Sequence, residues 1–181
     1  MRLFCGLPIP YEVRRNLELL LQHLKPLADL NWSPAENFHI TTKFIGEFPD
    51  EDVEKVKSAL RENLKPGALK ISIRGLGWLP DLQNPKIFLA GVEAEGLHEF
   101  TQSVNDQLAT VGIKKKSTPY IPHLTLARIS DTDKIRTLAP TLETLPSTDF
   151  GTFTATRHLL YRSRLTPHGS TYSVEADFPL V

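Results

Sequence analysis

Two short stretches carry residues able to do acid–base chemistry. Phe38-His39-Ile40-Thr41-Thr42-Lys43-Phe44-Ile45 and Pro122-His123-Leu124-Thr125-Leu126-Ala127-Arg128 both contain His-x-Thr. Imidazole titrates at about pH 6.5, so one histidine of a pair can accept a proton while the other donates one. A threonine two residues beyond each histidine lies on the same face of an extended strand. Its hydroxyl can donate to a non-bridging phosphate oxygen, where charge develops during displacement at phosphorus. The combination suits a phosphodiester that is intrinsically easy to attack, such as a strained 2′,3′-cyclic phosphate, and needs no metal.

A single His-x-Thr is more often a strand histidine beside a β-favouring threonine. Two copies in matched settings favour chemistry. A zinc site is the weaker reading, because no third histidine or carboxylate follows at a ligand spacing. Cys5 is the single cysteine, which excludes an intrachain disulfide or a cysteine-based zinc site. His23 and His98 fall on helical stretches and read as surface residues. His158 reads as structural, and His168 belongs to a turn.

The elements that must position the pair follow from periodicity. In the first motif Phe38, Ile40 and Phe44 alternate with His39, Thr41 and Lys43, so one face is apolar and the other carries the chemistry. The second motif sets Leu124 and Leu126 against His123 and Thr125. The histidines are 84 residues apart, and that offset also aligns Arg2-Leu3-Phe4 with Lys86-Ile87-Phe88. Strand, helix and motif strand recur in one order, which predicts a duplicated, pseudo-twofold unit. Helices are expected from Tyr11 to Lys25, after an Asp50 N-cap through Leu64 to a stop at Pro66, and from Leu97 to Val111. Strands are expected over Leu69–Ile73, Lys86–Val92, Thr152–Tyr161 and Thr171–Phe178, with Asn31–Pro34 a loop. The mixture predicts an α+β fold occupying residues 1–181 as one domain.

Lysine and arginine balance aspartate and glutamate at 21 each. Zero net charge disfavours non-specific binding along nucleic acid but allows a small basic pocket for one RNA end. Lys114-Lys115-Lys116, Arg157, Arg162 and Arg164 are candidate contacts for such an end, though a solvated loop explains the triplet as well. Phe4, Phe88 and Tyr120 read as core. No apolar run is long enough to cross a membrane and no leader pattern opens the chain, so a cytoplasmic monomer is the expectation.

Together the motifs resemble those of the 2H phosphoesterase superfamily, in particular its RNA 2′,3′-cyclic phosphodiesterase branch, also called the 2′-5′ RNA ligase family. The likeness includes Asn37 to Glu47, Pro122 to Arg128, the opening Arg2-Leu3-Phe4 with Pro8, and Ser163, Leu165, Gly169 and Tyr172. The resemblance implies a bilobal fold of two mainly antiparallel sheets flanked by helices around a cleft. It implies hydrolysis of 2′,3′-cyclic phosphate ends to 2′-phosphates without metal or cofactor, with RNA ends or small nucleotides as partners. It assigns His39 as proton donor, His123 as proton acceptor, and Thr41, Thr125 and Arg128 as phosphate contacts. Strict alternation puts Arg128 on the face opposite His123, so its role requires a bulge or a strand end to redirect it, and without one Arg128 is a surface ion-pair partner. Thr42 stands where the family often has leucine. Ligation of RNA ends as the main role, a catalytically idle binding module, and an interaction protein with accidental motifs are the alternatives.

Overall fold

The structure, a computed structural model, describes residues 1–63 and 67–181. The expected helix residue Leu64 and the Pro66 stop lie outside the described residues. In chain order the elements are β1 (Arg2–Pro8), α1 (Tyr11–Leu24), β2 (Asn31–Trp32), β3 (His39–Glu47), α2 (Val53–Asn63), β4 (Leu69–Leu79) and β5 (Ile87–Glu93). They continue with α3 (Leu97–Ala109), β6 (His123–Arg128), α4 (Ala139–Glu143), β7 (Asp149–Ala155), β8 (Arg157–Thr166) and β9 (Gly169–Pro179).

The fold is α+β, as the sequence predicts. Eight strands run in the order β7-β4-β5-β6-β3-β1-β8-β9, with β2 attached to β6. Every pairing is antiparallel. The two motif strands β3 and β6 stand at the centre and touch through one register pair, Ile40 with Leu124. Two four-stranded halves, β3-β1-β8-β9 and β6-β5-β4-β7, therefore share a narrow seam.

The helices form where the apolar stripe is continuous. In α1, Val13, Leu17, Leu20, Leu21 and Leu24 fall on one face and are buried. In α3, Leu97, Phe100, Val104 and Leu108 do the same. Each helix crosses to the other half: α1 packs on β7, and α3 on β3. One apolar cluster results, with Leu3, Leu17, Ile40 and Leu124 fully buried. Each such side chain contributes about 1.5–3 kcal/mol by leaving water.

Several expectations need correction. Thr152–Tyr161 is not one strand. Thr156 separates β7 from β8, and these two lie in opposite halves of the sheet. Continuous alternation hid the break, since no glycine or proline marks it. Asn31 and Trp32 form β2 against Arg128 and Ala127 of β6 instead of a plain loop. Asp50 does not cap α2: its carboxylate accepts from the Met1 ammonium at 2.7 Å. Strand β4 runs on to Leu79 past an irregularity at Gly75, whose φ of +76° suits glycine.

The repeat is real in register but its offset differs in the first strand. Phe4, Cys5, Gly6, Leu7 and Pro8 pair with Phe44, Lys43, Thr41, Ile40 and His39. Ile87, Phe88, Leu89, Ala90 and Gly91 pair with Arg128, Ala127, Thr125, Leu124 and His123 in the same pattern. The partners of the motif strands are thus 83 residues apart, one fewer than the motifs.

Candidate active site

Around the Ile40–Leu124 pair the antiparallel register sets His39 across from Thr125 and Thr41 across from His123. Two short polar faces therefore meet at the seam between the halves. Just beyond it both strands bulge at the same place. Thr42 in β3 and Leu126 in β6 are each an extra residue with no register partner. A bulge shifts the parity of every residue after it.

The consequences run against simple alternation. Lys43, expected beside His39, is only 5% exposed, whereas Phe44, expected in the core, is 54% exposed. In β6 the same shift leaves Leu126 and Ala127 both buried and brings Arg128 back to the exposed face that carries His123 and Thr125. Phe44 and Arg128 occupy equivalent places in the two registers, opposite Phe4 and Ile87 respectively.

The two rings are held alike. His39 Nδ1 donates to the Asn37 carbonyl at 2.6 Å, and His123 Nδ1 donates to the Ile121 carbonyl at 2.8 Å. A carbonyl can only accept, so each neutral ring carries its proton on Nδ1 and leaves Nε2 as the acceptor. The Thr41 hydroxyl donates to His39 Nε2 at 2.9 Å. Phe4, Tyr172 and Tyr161 surround His39, with ring centroids 4.7, 5.4 and 5.8 Å away. Gly6 lets the ring approach β1, since a Cβ there would sit 2.9 Å from the Ile40 carbonyl oxygen and 3.3 Å from His39 Cδ2.

Burial in this aromatic setting pushes the His39 pKa down to about 4. The Asn37 carbonyl opposes the shift, while the Arg128 guanidinium, and the His123 ring when it is protonated, reinforce it. Both of those groups therefore act electrostatically on His39.

An open groove of about 1610 Å³ starts at Thr41 and His123 and extends past Phe44, Tyr120, Asn105 and Lys116. Lys114 also borders it, whereas Lys115 pairs with Asp106 at 2.5 Å. Arg157 pairs with Asp177 and Arg162 with Glu175. Arg164 is exposed on β8. Phe4 and Phe88 are core, at 3% and 0% exposure. Tyr120 is half-buried, and its hydroxyl donates to the Thr41 carbonyl at 3.0 Å. His158 is buried, and its Nε2 shares a 2.8 Å hydrogen bond with the Thr42 hydroxyl. Among the described residues no three histidine, cysteine or carboxylate groups are placed to hold a metal ion, and no helix is long and apolar enough to cross a membrane.

Sequence reasoning missed Phe44, Lys43 and the hydroxyl of Tyr120. The one signal available for Phe44 was its position matching Arg128 in the aligned motifs.

The family described as LigT like Phosphoesterase matches the chain twice, over residues 7–89 and 87–172. A protein of Methanocaldococcus jannaschii named RNA 2′,3′-cyclic phosphodiesterase is 32% identical, over 96% of this chain and 98% of its own. A protein of the same name from Archaeoglobus fulgidus is 29% identical over 95% of this chain and 96% of its own. Among solved structures, TT0787 of Thermus thermophilus has a TM-score of 0.84 at 27% identity, covering 99% of this chain and 98% of that one. E. coli LigT complexed with 3′-AMP shares the fold, with a TM-score of 0.79 at 20% identity over 99% of this chain and 97% of that one.

Proposed function

The chain belongs to the LigT-like phosphoesterase family, and from that premise we propose that it opens 2′,3′-cyclic phosphate ends of RNA to 2′-phosphates, with His39 and His123 as its acid–base pair. The matched Nδ1–carbonyl locks carry this reading, because they leave Nε2 of both rings as the atom that can exchange protons at one seam. His123 Nε2 takes a proton from water as the water oxygen bonds to phosphorus. The P–O3′ bond breaks, and the proton on His39 Nε2 passes to O3′. The 2′ ester survives. Thr41 and Thr125 donate to the non-bridging oxygens, and Arg128 offsets the charge that builds on them. In the free protein the Thr41 hydroxyl rests on His39 Nε2, so phosphate binding exchanges one acceptor for another.

The test is incubation with an RNA ending in a 2′,3′-cyclic phosphate in the presence of a chelator. A 2′-phosphate product is expected. A 3′-phosphate product, or turnover that stops with the chelator, would reject the reading.

Phe44 supports a nucleotide substrate. It is exposed in the groove, and the Arg2 guanidinium lies over its ring 5.1 Å from the centroid. A base can stack on such a platform for about 1–3 kcal/mol, whatever its sequence. Phe44→Ala is therefore expected to raise KM for an adenosine cyclic phosphate by about tenfold or more. Glycerol cyclic phosphate, which has no base, should show no such change. Steady-state kinetics on the two substrates checks this.

A further inference from the structure

We infer that Tyr120, backed by Lys43, is a positioning residue that ties the aim of His123 to the opposite half of the sheet; the inference rests on the role of His123 proposed above. The ring of His123 is aimed by the Ile121 carbonyl. That carbonyl lies in a segment, residues 114–122, with no helix or strand of its own. Such a segment holds its shape only through the bonds its groups make to neighbours.

Two of those bonds lead to β3, while Lys115 pairs with Asp106 of α3. At the start of the segment the Lys43 ammonium donates to the Lys114 carbonyl at 2.7 Å and to Asn105 Oδ1 at 2.6 Å. Near its end the Tyr120 hydroxyl donates to the Thr41 carbonyl at 3.0 Å, and its ring packs edge-on against His98. Thr41 and Lys43 flank the Thr42 bulge, so the feature that turns Lys43 inward also places the anchor for the segment. A buried ammonium must be hydrogen-bonded to be tolerated, and here both identified acceptors are neutral oxygens of the elements it joins.

His39 is held differently. Its aiming carbonyl belongs to Asn37, whose side-chain amide donates to the Ser170 carbonyl of β9 at 2.7 Å. Strand β9 belongs to the same half as β3. The aim of His39 is thus internal to one half, while that of His123 is set from across the seam. The seam itself has a single register pair, so Tyr120, with the Lys43 bonds and the crossing helices, adds a stitch between the halves at the segment that aims His123. Loss of that stitch lets Ile121 drift, and the His123 ring then samples the tautomer with its proton on Nε2, which cannot accept.

Tyr120→Phe keeps the ring and removes only the hydroxyl. The expected result is a fall in kcat of about tenfold to a hundredfold, as for a misplacement of about 1 Å, with KM changed by less than about twofold. The 15N spectrum of the His123 ring should move from a single Nδ1-protonated form to a mixture, with His39 unchanged. Lys43→Met should reproduce both effects. A kcat within about twofold of the unsubstituted protein, at a temperature where the variant is folded, together with an unaltered His123 spectrum overturns the inference, even if the melting temperature drops. Should the unsubstituted protein fail to turn over cyclic phosphate, the functional reading falls, while the tautomer measurement still decides the role of Tyr120.

Discussion

Alanine at His39 or His123 is expected to lower turnover of a cyclic-phosphate end by about 10²–10⁴, the usual worth of a positioned general acid or base. The double variant should fall little further than the worse single one, because the two groups act in one step. His39 presents the sharper case. Burial, reinforced by the Arg128 guanidinium, holds it neutral in the free protein, with a pKa of about 4. A donor must first be charged, and the bound phosphodiester supplies the means. Its negative charge beside the ring favours imidazolium and offsets the desolvation of the ring and the repulsion from Arg128. His39 therefore takes up its proton from solvent as the anionic substrate binds, and a variant without the imidazole has nothing to charge. Single-turnover rates, with circular dichroism to verify folding, decide the matter. Either variant retaining turnover within about tenfold of the unsubstituted protein would defeat the two-histidine mechanism.

Acid is expected to destabilise the fold well above the pH at which carboxylates protonate. His158 is fully buried, and burial pushes its pKa from 6.5 down to about 3; His39 stands at about 4. For a base with a depressed native pKa the unfolded chain takes up the proton first. Stability is therefore full above pH 6.5 and is lost as pH falls toward 4 for His39 and 3 for His158. Each histidine that must stay neutral steepens the loss by up to about 1.4 kcal/mol per pH unit. Two together would remove much of a typical net stability of about 5–15 kcal/mol before pH 4 is reached. Asp50, Glu54 and Asp106 are held below their usual range by hydrogen bonds from the Met1 ammonium, Lys57 and Lys115, so their loss comes at lower pH. Urea titrations at pH 7, 6, 5 and 4 measure the slope. His158→Gln can keep a hydrogen bond to Thr42 without titrating, and should flatten the curve by about one proton. An unchanged slope in that variant would place the proton uptake elsewhere.

The helices were legible because their signal is local. The stripes of α1 and α3 lie within single segments and need no partner to be read. Strands β7 and β8 were not separable, because their alternation is continuous and only the pairing of β7 with β4 and of β8 with β1 sends them apart. The loop reading of Asn31–Trp32 failed for a related reason. Two residues carry no period, and β6 alone makes them a strand.

The motifs show the same division at the scale of single residues. Composition and spacing alone determined that two imidazoles and two hydroxyls stand in paired His-x-Thr strands, and hence which side chains are available for proton transfer. Which face Arg128 takes, why Phe44 lies open and Lys43 buried, and which carbonyl holds the His123 ring were decided only by tertiary structure. The reason is that a bulge is a mismatch in residue count between neighbouring strands. Thr42 and Leu126 become extra residues only against β1 and β5, and no reading of β3 or β6 by itself contains that count.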